Sequence, residues 1–239
     1  MAKLIVQVRD LIKEYNGKTR ALDQVSLDIG EGEWVAVMGP SGSGKTTLLN
    51  LLSCLDRPTS GMVMIDGADV TRLAANRLTQ FRREKVGLIF QQFHLVPYLT
   101  AIENVMLAQY FHSIADEREA RAALEDVGLG DRVHHLPSQL SGGEQQRVCI
   151  VRALINQPRM ILADEPTGNL DAANEEIVLD LFHKMHARGH TIVLVTHDPA
   201  VGELADRVVR LEHGRIAQDG RPTTDDRDLS DWKEEQGPA

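Results

Sequence analysis

Cysteine is scarce in this 239-residue chain, which carries only Cys54 and Cys149. Two thiols build no disulfide framework; they fit a reducing compartment in which each serves as a small core residue. Long apolar runs are lacking as well, since no uninterrupted stretch approaches the roughly 20 residues of a membrane helix. Any membrane connection must then come through a partner. A secretory leader is not expected either: Lys3 is followed by Leu4-Ile5-Val6-Gln7-Val8, too short and too soon interrupted for an h-region. Positive charge is in deficit, with 26 Lys and Arg against 35 Asp and Glu and a net charge of -9. Nucleic-acid binding rests on Lys and Arg neutralising phosphates, so this balance argues against it. The cluster Arg82-Arg83-Glu84-Lys85 reads as a solvated face. What is plentiful is hydrophobic content, 42% of the chain, enough for the core of one domain with or without an inserted lobe.

Period-2 and short apolar runs predict strands over Leu4–Leu11, Val25–Ile29, Glu33–Met38, Met62–Ile65, Val86–Phe90, Met160–Ala163, Thr191–Thr196 and Arg207–Glu212. Helical periodicity covers Lys45–Leu52, Ile102–Tyr110, Asp116–Val127, Gly142–Asn156, Asn174–Arg188 and Pro199–Ala205. Strands alternating with helices imply an α/β fold with a mostly parallel sheet; the early strands without helices between them imply an added antiparallel β layer. The stretch from Gln91 to Leu140 reads as almost wholly helical, an inserted lobe. Asp66-Gly67 and Glu212-His213-Gly214 read as turns that close hairpins. Met62 and Met64 are expected in the core. The expected division is a core of about 1–90 and 157–220, a helical subdomain of about 91–156, and a polar acidic tail of 221–239 with Trp232 as its large apolar anchor.

One segment carries chemistry on its own. Gly39-Pro40-Ser41-Gly42-Ser43-Gly44-Lys45-Thr46-Thr47 fits the GxxxxGK[ST] phosphate loop, placed between a buried strand and a helix as that motif requires. Backbone N–H groups converge on the phosphates of a nucleoside triphosphate, glycine lets the backbone come close, and the helix N-terminus adds its partial positive charge. Lys45 is expected at the β- and γ-phosphates, and the Thr46 hydroxyl at Mg²⁺, beside an acidic residue at the end of another strand. Asp164, closing Met160-Ile161-Leu162-Ala163, is that residue.

Downstream stand Leu140-Ser141-Gly142-Gly143-Glu144-Gln145-Gln146-Arg147 and the run from Met160 to Asp171. Together with the phosphate loop and in this order, they resemble the signature and catalytic segments of ATP-binding cassette (ABC) ATPases, over roughly Leu4 to Gln218. The resemblance implies ATP and Mg²⁺ as ligands and a P-loop NTPase core. It implies a head-to-tail dimer in which Ser141, Gly142 and Gly143 of one subunit close over the γ-phosphate held by a second copy. Ser141 also reads as a helix N-cap with Glu144 as its capping-box partner. Glu165 is similar to the family's catalytic carboxylate, and His197, after the strand ending at Thr196, resembles the switch histidine. Gln91 looks like the Q-loop glutamine that reaches Mg²⁺ and the attacking water, with Gln92 as the neighbouring alternative. Asp171 resembles the D-loop aspartate at the dimer seam, and Tyr15 the aromatic that stacks on adenine. Cys149 and Val151 stand where related cassettes usually carry alanines. His183, His186 and His190 could share a helix face, but as its polar side rather than as a metal site.

The pair GEQQR and EPTGNLD, with Phe90–Val105, most resembles cassettes of the lipoprotein-release and macrolide-efflux type, LolD and MacB. Such cassettes work beneath an integral membrane permease, so this chain is expected at the cytoplasmic face of the membrane through a separate permease subunit, exporting or extracting a hydrophobic or lipidated cargo. Residues Gln91–Gln109 are the expected groove for a helix of that permease, floored by Phe93, Leu95, Val96, Leu99 and Met106; the alternative for these five is that they pack the lobe's own core, as some of them are expected to do. The alternative is a cassette like FtsE, which regulates cell-wall hydrolases through a membrane partner without transport. A soluble ABC ATPase acting on DNA or ribosomes is disfavoured by the single cassette and the acidic balance.

Overall fold

A computed structural model describes residues 3–17 and 19–222 of the chain. The expected tail therefore lies, apart from its first two residues, outside the described residues, as does Trp232. The chain opens with two twelve-residue strands, β1 (Leu4–Tyr15) and β2 (Thr19–Gly30), paired antiparallel and turning at Asn16-Gly17, both at positive φ. Both strands outrun the segments expected for them; β1 carries the backbone on to Tyr15. Then follow β3 (Trp34–Met38), α1 (Lys45–Leu52), β4 (Ser60–Ile65), β5 (Ala68–Asp69), α2 (Ala75–Lys85), β6 (Val86–Ile89), α3 (Ala101–His112), α4 (Glu117–Asp126) and α5 (Gly142–Leu154). The rest comprises β7 (Met160–Asp164), α6 (Ala172–Ala187), β8 (Thr191–Val195), α7 (Pro199–Gly202), β9 (Arg207–Glu212) and β10 (Arg215–Gly220).

Two sheets result. An antiparallel one has the order β2-β1-β4-β5, and a six-stranded one the order β10-β9-β3-β8-β7-β6, parallel except for its edge strand β10. The central strands β3 and β8 are buried at every residue, as expected when both faces of a parallel sheet are covered. One face packs with α1 against the antiparallel sheet, through Val35, Val37, Leu48, Leu49, Val193 and Val195. Its other face packs on α5, α6 and α7 through Trp34, Ala36, Ile150, Phe182 and Leu194. A third apolar cluster joins α3, α4 and α5 through Ala101, Val105, Leu124, Val148 and Val151, the core of the helical lobe between β6 and β7.

The structure corrects several expectations. Helix α2 was not legible: of its eleven residues only Leu78 is buried, so no apolar stripe marks it. Its last turn holds Arg82, Arg83 and Lys85, charges that suit a helix C-terminus. They are not merely solvated, because Arg82 donates to Cys54 O at 2.9 Å and Lys85 to Asp66 at 2.9 Å. The lobe is less helical than expected: residues 91–100 are irregular, and between α4 and α5 the chain makes only short 3₁₀ turns at Gly130–Arg132 and Pro137–Gln139. Along β4 the core takes Val63 and Ile65, leaving Met62 and Met64 half-buried on the other face. Asp66-Gly67 and His213-Gly214 do close hairpins at positive φ.

Candidate functional site

The phosphate loop runs from the end of β3 into α1, and its glycines are required by the chain around it as well as by any ligand. Gly39 has φ +142, and a Cβ there would lie 2.1 Å from Leu211 O of β9. At Gly44, φ is +105 and a Cβ would lie 2.5 Å from Ala21 O of β2. Side chains at these positions would push the loop off both sheets. Helix α1 begins at Gly44 with no side-chain cap and no acidic residue in its first turn. Its first N–H groups and the positive end of its dipole therefore face the cleft uncompensated by protein. Ser43 Oγ is buried inside the loop without a hydrogen-bond partner. Such a cradle suits a polyanion.

A cavity of about 780 Å³ opens in front of the loop, lined by Tyr15, Gly39, Pro40, Ser41, Gly42, Gly44, Lys45, Thr46, Thr47, Gln91, Asp164, Glu165 and His197. Lys45 Nζ donates to Gly39 O at 2.6 Å and to Pro40 O at 2.9 Å, which holds the ammonium over the loop. Burial lowers its pKa from the usual lysine value, and the carboxylates of Glu165 and Asp164 act against that shift. The reverse holds at Asp164, whose pKa is raised by burial and by Glu165 while a hydrogen bond from Thr46 and the charge of Lys45 oppose it. Thr46 and Asp164 thus form a hydroxyl–carboxylate pair, the oxygen donors that Mg²⁺ takes. Among the described residues no group of three His, Cys, Asp or Glu could hold a metal ion. A cation here would draw its other ligands from Gln91, phosphate oxygens and water.

Glu165 is the one residue after β7 and adopts φ +47, an unfavourable angle for a side-chain-bearing residue. The strained backbone is pinned by Glu165 N donating to Val195 O at 2.9 Å and by Gly168 N donating to Glu165 O at 3.1 Å. The carboxylate meets His197 Nδ1 at 2.9 and 3.0 Å through its two oxygens. The strand ends of β7 and β8 thereby deliver a carboxylate–imidazole pair beside the phosphate loop. Gln91 follows β6; its carbonyl accepts from Asn169 Nδ2 at 3.0 Å, and its amide lies across Gly168, where a Cβ would be 3.2 Å away. At the far end of the cleft Tyr15 donates its hydroxyl to Asp56 at 2.9 Å, and Lys13 Nζ sits 4.7 Å from the ring centroid. That pairing fixes the ring as a flat apolar face.

Ser141, Gly142, Gly143 and Asp171 do not line this cavity. Ser141 caps α5, its hydroxyl accepting from Glu144 N at 3.3 Å while Glu144 accepts from Ser141 N at 2.7 Å. Asp171 caps α6, accepting from Asn174 N at 2.8 Å and from Asn174 Nδ2 at 2.9 Å. Its carboxyl is held below the usual range by those contacts. The two helix starts touch: a Cβ at Gly143 would lie 1.9 Å from Asn174 Oδ1. Asn174 is thus a site-forming residue that the sequence reading missed, and so are Asn169 and Asp56. Asn169 and Asp56 act through partners distant in the chain, and Asn174, which bonds Asp171 three residues away, matters through its contact with the distant Gly143. The two cysteines are buried as expected, and burial pushes both thiols up to about 11. Among His183, His186 and His190, His186 pairs with Asp206 at 3.0 Å, a structural contact.

A phosphate cradle on a parallel sheet, a carboxylate–histidine pair at the strand ends and a helical lobe whose last helix opens with Ser-Gly-Gly define a nucleotide-hydrolysing cassette. The sequence profile described as ABC transporter matches residues 22–168, more than half of the chain, and the chain belongs to that family. It is 51% identical over 223 residues to the macrolide export ATP-binding/permease protein MacB 1/2 of Paracoccus denitrificans, covering 91% of this chain and 33% of that protein. An uncharacterized ABC transporter ATP-binding protein of Thermotoga maritima is also 51% identical, over 220 residues covering 90% of this chain and 94% of that one. The chain therefore spans about a third of the MacB relative and nearly all of the other. Among solved structures, the dimeric ATP-binding cassette MJ0796 in a post-hydrolysis state with ADP and Pi superposes with a TM-score of 0.85 at 42% identity, covering 91% of this chain and 99% of that one. The fold is that of an ABC cassette of the MacB type, and its activity is ATP hydrolysis.

Proposed function

We propose that the chain is the ATPase subunit of an exporter, working as a head-to-tail homodimer on the cytoplasmic face of a membrane beneath a separate permease subunit of the MacB and LolCDE type. The observation that carries the dimer is the division of the site. The cleft holds Lys45, Thr46, Asp164 and Glu165, while Ser141 and Asp171 stand exposed at two helix starts outside it. Those positive helix ends would complete the site of a second copy.

In this reading Tyr15 stacks on adenine and the loop from Gly39 to Thr47 cradles the phosphates. Thr46, Asp164 and Gln91 would hold Mg²⁺, whose charge offsets that developing on the phosphates. Glu165, held by His197, orients water at the γ-phosphate and takes its proton, while Lys45 and the partner's signature segment stabilise the transferred charge. The left-handed backbone at Glu165 aims the carboxylate away from its own strand and into the cleft.

The permease would dock in a second cavity of about 470 Å³, lined by Arg82 and Arg83 of α2, Val86–Leu88, Ala108 and Phe111 of α3, and Arg152 and Ala153 of α5. It shares Ala108 with the segment expected from sequence, of whose floor Leu95 and Met106 pack against the lobe's own core. Among the described residues no helix is long and apolar enough to cross a membrane. Its tie to the bilayer would be this groove. The likeness to a macrolide export protein supports a hydrophobic or lipidated cargo.

Glu165→Gln tests the catalytic half: ATP binding should persist, turnover should fall by on the order of 10²-fold or more, and a dimer should elute in ATP on size exclusion. A variant that hydrolyses at the wild-type rate overturns the role. Purifying the tagged chain from its native membrane decides the partner; recovery of a cell-wall-hydrolase regulator in place of an exporter permease would favour the FtsE-like alternative.

A further inference from the structure

We propose that Arg152 is a positioning residue for ATP hydrolysis: its guanidinium clasps the loop that carries Gln91 and ties that loop to the signature helix. The proposal rests on the role given to Gln91 above. After β6 the chain leaves the sheet and runs irregularly to α3, so its backbone carbonyls find no partners in a ladder. Side chains from elsewhere take their place. Asn169 donates to Gln91 O at 3.0 Å, Cys149 Sγ donates to Phe93 O at 3.0 Å, and Arg152 donates to Phe93 O at 3.0 Å and to His94 O at 2.8 Å.

His94 adopts φ +47, a turn that a residue with a side chain makes only when held. The fork of the guanidinium, with two donors in one plane, spans the two consecutive carbonyls at that turn. A lysine offers a single nitrogen without that fixed planar fork, so it would hold the pair less firmly. Cys149 also reaches Phe93 O, but a thiol is a weak donor, so Arg152 carries the contact.

Arg152 stands on α5, the helix that opens with Ser141. Gln91 and Ser141 belong to different halves of the composite site, and this clasp makes one helix answer for both. The same side chain lines the 470 Å³ groove between α2, α3 and α5. A segment docked there would press on the residue that fixes the Gln91 loop.

The test uses the full chain, with turnover and ATP affinity measured separately and the Mg²⁺ concentration giving half-maximal rate measured alongside. Arg152→Ala should lower kcat by at least about tenfold, the cost of slightly misplaced catalytic groups, with the ATP dissociation constant within about twofold and a raised Mg²⁺ requirement. Arg152→Lys, which keeps charge and stem, should fall between. The double variant R152A/Q91A should be within about twofold of Q91A alone, because both act through one contact. Guanidinium at tens of millimolar should restore activity to Arg152→Ala and not to Gln91→Ala. Losses that multiply in the double variant, a fall in affinity equal to the fall in kcat, or wild-type turnover in Arg152→Ala overturn the proposal. If Gln91→Ala itself turns over at the wild-type rate, it is the role of Gln91 that fails, whatever Arg152 does.

Discussion

Replacing Gly143 by alanine separates a packing role from a nucleotide role at one atom. The added Cβ would lie 1.9 Å from Asn174 Oδ1, 2.2 Å from Cγ and 2.7 Å from Cβ. The amide could rotate away, but the Asn174 Cβ is fixed to α6, so the two helix starts must also part. Rotation removes the Asn174 Nδ2 bonds to both oxygens of Asp171, at 3.0 and 2.9 Å. Overpacking costs about 1–3 kcal/mol. A cost of about 2 kcal/mol corresponds to a melting temperature about 4–8 °C lower for a chain of this size. Binding of ATP to the same chain should be unchanged, since Gly143 does not line the cleft. Turnover should fall at least about tenfold, because Ser141 and Asp171 are both displaced from the geometry a second copy would meet. Scanning calorimetry and steady-state ATP hydrolysis measure the two effects. The decisive variant is Gly143→Ala with Asn174→Gly, which removes the obstacle and should return about half of the lost stability, since it gives up the Asn174 bonds and places a glycine in α6. If the single variant melts within about 1 °C of wild type, or if Asn174→Gly restores nothing, the close packing of α5 on α6 is not what demands this glycine.

Three further outcomes follow from the same structure. Ser141→Arg should spare nucleotide binding in its own chain and block closure over the second copy's ATP; mixed dimers that lose binding in cis would refute the head-to-tail arrangement. Asp66 is held below the usual carboxylate range chiefly by Lys85, so its stabilisation is complete above its unfolded pKa of about 3.9 and lost as pH falls through the lower folded value. Asp66→Asn should therefore cost about 1 kcal/mol at pH 7 and match wild type near pH 2 in urea titrations; an equal deficit at both pH values would refute the linkage. Cys54 and Cys149, pushed from 9.0 to about 11, should alkylate at least about 100-fold more slowly in the native chain than after denaturation, a tenfold loss of thiolate per pKa unit; equal rates would show that neither thiol is buried as described.

What could be read from the sequence was whatever is encoded within a few residues. The phosphate loop is one such case: glycines at Gly39 and Gly44, a lysine and a threonine declare a cradle because backbone conformation and ligand chemistry are both local. Val35–Val37 and Ile192–Val195 declare central strands for the same reason, since burial on both faces erases alternation. Helix α2 escaped because only Leu78 and Phe81 pack on the core, and two apolar residues among charged ones leave no apolar period. The cavity between α2, β6, α3 and α5 was not legible, because its walls come from four segments that no window of sequence contains together.

Gly143 shows how far a local reading can go and where it stops. Ser-Gly-Gly-Glu read alone gives a capped helix, and the second glycine looks free of any duty to its own chain. In the fold that glycine is the seat of Asn174, and Asn174 in turn holds the carboxylate of Asp171. The starts of α5 and α6, which present Ser141 and Asp171, are therefore locked to each other by one missing methyl. In the proposed dimer these two groups would meet the second copy together. A substitution that loosens the lock should damage turnover at both sites of a dimer while leaving every residue of both phosphate cradles untouched.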